Sequence, residues 1–100
     1  MMAGNFAAAP VLYNQTLTSA NTEYTIALPS GTTHFEMQAR QNAAVRFAFE
    51  TGYVATPTAP YETLKAGYTY SSYNLWGSQT MTLYLASATA GTIVELIAWR

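Results

Sequence analysis

The sequence contains no cysteine and no aspartate, and it has a single histidine among its 100 residues. The lack of cysteine excludes disulfide bonds and thiolate metal sites. One histidine without cysteine or aspartate is also too little for an ordinary zinc site or a Ser-His-Asp triad within one chain. The carboxylates are scattered, at Glu23, Glu36, Glu50, Glu62 and Glu95. Because acid/base catalysis needs placed carboxylates or a histidine partner, we expect a protein that is not an enzyme and has no cofactor.

Charge is scarce as well. Charged residues make up only 9% of the chain, whereas an average soluble domain carries about 25%. The formal net charge is −1, and no cluster of lysine and arginine is present to bind a phosphate backbone. No hydrophobic run approaches the ~20 residues of a membrane-spanning helix. The sequence therefore predicts neither a nucleic-acid partner nor a membrane partner.

Hydroxyl-bearing and aromatic side chains take the place of charge. The chain has fifteen threonines, six serines and eight tyrosines, and 50% of its residues are hydrophobic. A high apolar fraction with a low net charge excludes intrinsic disorder. A chain of this length forms one domain, so we expect a sandwich domain over residues 13–100 preceded by an extended N-terminal arm over residues 1–12.

Apolar and polar residues alternate with period two along most of the chain, which is typical of half-buried strands. Tyr24, Ile26 and Leu28 point to one side, and the turn Pro29-Ser30-Gly31 follows. No segment shows a sustained 3.6-residue period, so no helix is predicted. About eight short strands at close spacing indicate an all-β fold, a small antiparallel β-sandwich of jelly-roll or Greek-key type.

The strands at 34–40 and 44–50 are predicted to pair as a hairpin. Their apolar residues all carry odd numbers, so facing residues must sum to an even number if both sets are to stay on one face. The predicted pairs are Phe35 with Phe49, Met37 with Phe47, and Ala39 with Val45.

The final strand, residues 92–99, is apolar on both faces. Placing Glu95 in the core would bury a carboxylate without an evident partner, which is costly. The inward set is then Val94, Leu96 and Ala98, and the outward set is Ile93, Ile97 and Trp99. The preceding strand, predicted as a hairpin partner, is expected to place Tyr84 beside the outward set.

A strand that is apolar on both faces is normally covered on both faces. Either another part of this chain, such as residues 1–12, covers the outward face, or a second subunit does. A small domain has few spare elements for a third layer, and each buried Å² of apolar surface contributes about 25 cal/mol. The sequence favours a homo-oligomer whose interface contains Tyr84, Ile93, Ile97 and Trp99.

Aromatic residues crowd the middle of the chain, where they suggest a binding surface. Carbohydrate-binding sandwiches stack aromatic rings on sugars, but tyrosine is also common in strands and in protein interfaces. The pattern leaves these alternatives open. The candidate contact residues are Phe6, Tyr68, Tyr70, Tyr73 and Trp76.

Three stretches resemble a known class of proteins: residues 26–32 (Ile-Ala-Leu-Pro-Ser-Gly-Thr), the strand 35–40, and the closing residues 83–95. They are similar to small β-sandwich virion proteins of tailed bacteriophages, of the capsid decoration and head-fibre type. The resemblance extends over residues 20–100 and transfers no functional residue.

The resemblance implies a homo-oligomeric capsid decoration protein, with a trimer as one candidate symmetry, that binds and stabilises the surface formed by the major capsid protein. Such a protein would belong to the virion and be assembled in the host cytoplasm. The alternative is a carbohydrate-binding β-sandwich module or a receptor-binding component of the tail or baseplate.

Overall fold

The computed structural model describes residues 9–72, 75 and 80–100. Within these residues every regular element is a β-strand, and the eight strands confirm the predicted all-β sandwich. Their bounds are β1 Val11–Leu17, β2 Tyr24–Ala27, β3 His34–Ala39, β4 Val45–Ala48, β5 Glu62–Leu64, β6 Thr69–Ser72, β7 Thr82–Ala86 and β8 Thr92–Trp99. No helix that could span a membrane occurs in this part of the chain.

The strands form two antiparallel sheets of four, in the orders β1-β8-β3-β6 and β2-β7-β4-β5. We refer to these as the first and the second sheet. Among the eight strands, each connection except the one between β4 and β5 crosses from one sheet to the other. This alternation is the topology of a jelly roll, one of the two types that the sequence predicts.

The predicted hairpin between 34–40 and 44–50 is wrong, because its two strands lie in different sheets. Phe35 of β3 lies opposite Ala98 of β8 and Ser72 of β6, and not opposite Phe49. Met37 and Ala39 likewise have partners on β8, and the partners of Phe47 and Val45 are on β5 and β7. Two strands whose apolar residues all point into one core can lie side by side in a sheet or face each other across the core. Here β3 and β4 lie in different sheets and face each other across the core.

Phe49 is also placed differently from the prediction. The strand β4 ends at Ala48, so Phe49 follows the last paired residue and its side chain is 46% exposed. Period two continues in the sequence beyond the point where the backbone leaves the sheet. The alternation alone therefore gives the correct face for Val45 and Phe47 and the wrong environment for Phe49.

The second predicted hairpin fails for the same reason as the first. β7 pairs with β2 and β4 in the second sheet, whereas β8 pairs with β1 and β3 in the first. The turn between β7 and β8 thus carries the chain across the core. Its Gly91 has φ of +82°, a left-handed conformation that glycine adopts without steric cost.

The hydrophobic core lies between the two sheets. The inward set predicted for β8 is confirmed, since Val94 and Ala98 are fully buried and Leu96 is 2% exposed. The ring of Tyr70 on β6 packs into the same core, 4.8 Å from the centre of Phe47. The remaining core is formed mainly by Leu17, Ile26, Phe35, Met37, Val45, Leu83 and Leu85.

The long connection between β4 and β5 covers the outer side of the second sheet. Val54 of this connection is fully buried against Ala48 and Ala86. Arg46 fastens it, because its Nε donates to the carbonyl of Val54 at 2.8 Å. Buried carbonyl groups need such donors. The second sheet therefore has a third layer made from its own chain.

A second anchor holds the start of this connection. The carboxylate of Glu23 accepts hydrogen bonds from the Thr51 hydroxyl at 2.6 Å and from the backbone N–H of Gly52 at 2.9 Å. Gly52 has φ of +97°, so a side chain at this position would strain the turn. Glu23, to which the sequence pattern gives no role, thus has a structural one.

At the N-terminal side of the chain, β1 begins at Val11. Residues 11 and 12, included in the predicted arm, are paired with Ala98 and Ile97 of β8. Residues 1–8 of the arm lie outside the described residues.

The burial pattern predicts a large difference between two leucine truncations. Leu85→Ala removes a fully buried side chain and is expected to lower the free energy of unfolding by about 2–5 kcal/mol. Leu12→Ala removes a side chain that is 75% exposed and is expected to change it by less than about 0.5 kcal/mol in the dilute monomer. Urea unfolding followed by circular dichroism measures both, and equal losses would contradict this placement of the core.

Candidate functional site

The outer side of the first sheet is the surface that carries the outward set of β8. The strand register brings Leu12 of β1 beside Ile97, and Ile97 beside Glu36 of β3. Leu12 is 75% exposed, and Ile93, Ile97 and Trp99 are partly exposed. This exposed apolar set crosses two neighbouring strands, and we call the surface that it forms the outer face.

Glu95 lies at the centre of the outer face with its carboxylate fully engaged. Gln38 Nε2 donates to Oε1 at 3.0 Å, and Arg40 Nε donates to Oε2 at 2.7 Å. These hydrogen bonds, with that of Gln38 the larger cause and that of Arg40 the next, hold the pKa of Glu95 below its ordinary value of 4.5. Both donors come from β3 and its end, so pairing with β3 fixes which face of β8 points outward.

Gln41 orders the beginning of β8. Its side chain donates from Nε2 to the carbonyl of Gly91 at 2.9 Å and accepts from the backbone N–H of Ile93 at 2.8 Å. The backbone N–H of Arg40 donates to the carbonyl of Ile93 at 2.8 Å. Ile93 is therefore held in place although β3 ends at Ala39.

Trp99 is fixed at the opposite end of the strand. Its indole stacks on the imidazole of His34, with ring centres 4.2 Å apart and planes 10° apart. Its carbonyl accepts from the backbone N–H of Thr33 at 2.7 Å. The stack restricts the indole ring and the hydrogen bond restricts the backbone, so the side chain has less rotamer freedom to lose on binding, which favours its use as an anchor.

A shallow groove of about 460 Å³ runs across the outer face. Its apolar lining includes Leu12 and Ile97, and its polar lining is formed by Asn14, Glu36, Gln38, Arg40, Thr69 and Glu95. Gln38 and Arg40 are both hydrogen-bonded to Glu95. The groove thus combines exposed apolar side chains with a hydrogen-bonded polar group at its centre.

The structure unites most of the predicted interface and separates one member from it. Ile93, Ile97 and Trp99 share the outer face as predicted. Tyr84 does not join them, because β7 belongs to the second sheet and Tyr84 packs at the edge of the small cluster around Val54. The error arises from the wrong hairpin between β7 and β8, which would have put the two strands side by side.

Leu12 belongs to the outer face, whereas the sequence pattern places it in the N-terminal arm. The alternation in Val11–Leu17 contains the signal, since residues 11, 13, 15 and 17 form one set and Leu12, Asn14 and Thr16 the other. Pro10, directly before this segment, favours placing residues 11–12 in the arm. The length of β1 becomes visible only through its pairing with β8.

The aromatic candidates divide into three groups. Tyr68 is 64% exposed and is available for contact. The prediction that Tyr70 is a surface contact is wrong, because its ring packs against Phe35 and Phe47 in the core. β6 pairs Tyr70 with the inward-facing Met37, which turns the ring away from the surface. Phe6, Tyr73 and Trp76 lie outside the described residues.

Within the part of the chain that the structure describes, no group of three histidine or acidic side chains lies close enough to hold a metal ion. The carboxylates and His34 are instead distributed over both sheets and their connections.

No protein-family profile and no curated protein matches this chain. The chain is similar to the solution NMR structure of a de novo designed double-stranded β-helix, with a TM-score of 0.54 and 20% sequence identity. The match covers 93% of this chain and 100% of the designed one. At this identity the similarity concerns the fold alone, and a double-stranded β-helix agrees with the jelly-roll strand order.

The hydrogen bonds of Glu95 predict a specific dependence of stability on pH. Because the pKa is lowered in the folded chain, the ionised carboxylate stabilises the fold above the unfolded-state pKa. That contribution is lost as the pH falls from 4.5 through the lower folded-state value. Glu95→Gln should therefore lose less stability than the wild type between neutral pH and acid, measured by urea unfolding at each pH.

Glu62→Gln is the matched control, since it removes one negative charge from an exposed position on the other sheet. Identical pH profiles for the wild type and Glu95→Gln would contradict the role assigned to the Gln38 and Arg40 hydrogen bonds.

Proposed function

We propose that this chain is a non-enzymatic structural protein that forms a homo-oligomer through the outer face of its first sheet. The observation that carries the proposal is the exposed apolar set of Leu12, Ile93, Ile97 and Trp99. The connection that Arg46 holds covers the part of the second sheet's outer side around Ala48 and Ala86, whereas no described connection is held over the first sheet in this way. A second copy would cover the outer face of the first sheet.

The energetics of the outer face favour such a contact. Apolar surface contributes about 25 cal/mol per Å² removed from water, so a few large side chains are needed to offset the cost of association. Between them, Glu95 already accepts hydrogen bonds from Gln38 and Arg40. When both partners of the pair of Arg40 and Glu95 are buried together, neither charge is left unpaired. An unpaired buried charge would be the costly case.

Symmetry supports self-association over a heterologous partner. A single patch that is repeated on identical subunits produces a closed assembly when the patch is self-complementary. On the outer face the charge of Glu95 is balanced by Arg40 in a salt bridge of 2.7 Å. This pair adds no net charge that would repel another copy.

We further propose that the oligomer is a capsid decoration protein of a tailed bacteriophage, bound to the major capsid protein on the virion. The resemblance of residues 26–32, 35–40 and 83–95 to small phage virion proteins supports this role, together with the cysteine-free, weakly charged composition. In this arrangement the outer face joins subunits, and the part of the predicted arm that precedes β1, or the exposed ring of Tyr68, contacts the shell.

A second candidate function rests on Tyr68 itself. Its side chain is 64% exposed, and an exposed tyrosine ring is suited to stacking on a sugar. This favours a carbohydrate-binding module or a receptor-binding component of the tail or baseplate.

The self-association is tested by Ile97→Lys. The new ammonium group lies beside Glu36 in the register, so the folded monomer can accommodate it. In an apolar interface between copies the charge would be buried, and we expect the dissociation constant to rise at least about tenfold, which corresponds to 1.4 kcal/mol. Sedimentation velocity at several protein concentrations measures the effect.

Thr25→Lys is the control, because Thr25 is exposed on the outer side of the second sheet and should leave the assembly unchanged. A wild-type protein that stays monomeric at micromolar concentrations would overturn the oligomer. An oligomer that Ile97→Lys leaves intact would show that a different surface joins the subunits.

The two roles differ in what the wild-type protein should bind. As a decoration protein it is expected to co-sediment with empty shells of the major capsid protein of the same phage, and to bind no sugar on a glycan array. Glycan binding that disappears in Tyr68→Ala, without binding to shells, would favour the second candidate. A genome that encodes no major capsid protein near this chain would argue against the virion role.

A further inference from the structure

A second groove, of about 610 Å³, opens where β4 leaves the second sheet and β5 returns to it. Its exposed walls are aromatic and acidic, and we call it the aromatic groove. The residues that define it are Phe49, Glu50, Tyr53, Pro60, Tyr61 and Glu62. The aromatic groove is formed by the second sheet and its long connection, whereas the outer face belongs to the first sheet.

Two large hydrophobic side chains are left exposed here. Phe49 is 46% exposed and Tyr61 is 37% exposed. Phe49 is held edge-on against the buried ring of Phe47, with ring centres 6.3 Å apart and planes at 88°. The groove therefore presents an aromatic face whose orientation is set by the core below it.

Hydrogen bonds hold the backbone around the groove in the free chain. Arg46 donates to the carbonyl of Val54, next to Tyr53, and Glu23 accepts from Thr51 and Gly52. A site that is ordered in advance loses less conformational entropy on binding. The walls of the groove thus form a preorganised site on a long connection.

The charge of the groove has one sign. Glu50 and Glu62 are its charged side chains. The nearest arginine in the chain, Arg46, uses its guanidinium on Val54 and on the side chain of Asn21. Aromatic faces attract cations through the ring quadrupole, and carboxylates attract them directly, so both kinds of wall select positive charge.

A guanidinium group uses both walls at once. It is planar and weakly hydrated, it stacks on aromatic rings, and its N–H groups bind carboxylates in pairs. An ammonium group is more strongly hydrated and does not stack. A neutral sugar would stack on the rings but would leave the two carboxylates uncompensated.

We propose that the aromatic groove binds the guanidinium group of an arginine side chain presented by a partner protein. The ring of Phe49 or Tyr61 stacks on the guanidinium plane, and Glu50 and Glu62 accept its hydrogen bonds. The site is separate from the outer face, so the proposal does not depend on the oligomer. An assembly joined through the outer face would keep this groove open for the partner.

The test is an NMR titration of the ¹⁵N-labelled full chain with Nα-acetyl-arginine amide, whose capped backbone imitates an arginine within a protein. We expect saturable shift changes in residues 47–62. The neutral isostere Nα-acetyl-citrulline amide should cause none, and Nα-acetyl-lysine amide should bind more weakly than the arginine compound.

Two variants locate the site. Glu50→Gln and Glu62→Gln keep the side-chain shape. Each should lower the association constant for Nα-acetyl-arginine amide about tenfold, because one charge-assisted hydrogen bond is lost. Glu36→Gln, which removes a carboxylate from the other sheet, is the control and should have no effect. The spectra of the free variants show whether each remains folded.

Several outcomes would overturn the proposal. Equal binding of the citrulline compound would show that charge is not recognised, and shifts outside residues 47–62 would place binding elsewhere. Tighter binding of free arginine than of the capped compound would indicate a small-molecule site and not a partner side chain. Shifts in the groove caused by a neutral monosaccharide and not by arginine would assign it to a sugar.

Discussion

The central constraint of this fold is the orientation of β8 between β1 and β3. Val94, Leu96 and Ala98 must enter the core, because the opposite choice would bury the carboxylate of Glu95. Gln38 and Arg40 satisfy that carboxylate on the surface. Since β8 is the longest strand and has partners on both sides, its orientation decides which side chains of the whole first sheet face solvent.

A direct consequence is the difference between the two outer sides of the sandwich. The second sheet is covered by its own connection, which Arg46 and Glu23 hold through hydrogen bonds to backbone groups. The first sheet keeps Leu12 exposed beside Ile97. The self-association that we propose uses the outer face of the first sheet, and the arginine site that we propose lies in the aromatic groove of the second sheet.

Much of the fold could be predicted from period two alone. The alternation assigned the correct face to Ile26 and Phe35, and the cost of burying Glu95 gave the inward position of Val94 and the outward position of Ile97. Strand pairing could not be obtained in this way. A matched pattern requires two strands to share one core, and it is satisfied equally by neighbours within a sheet and by strands that face each other across the sandwich.

The candidate sites also divide into features that the local sequence predicts and features that depend on strand pairing. Local sequence established that β8 has two apolar faces, because the pattern of a single strand does not depend on its neighbours. The removal of Tyr84 from the outer face, the addition of Leu12 to it and the inward turn of Tyr70 were decided by the jelly-roll crossings. Those crossings depend on long-range packing of both sheets at once, and no short stretch of the chain contains that information.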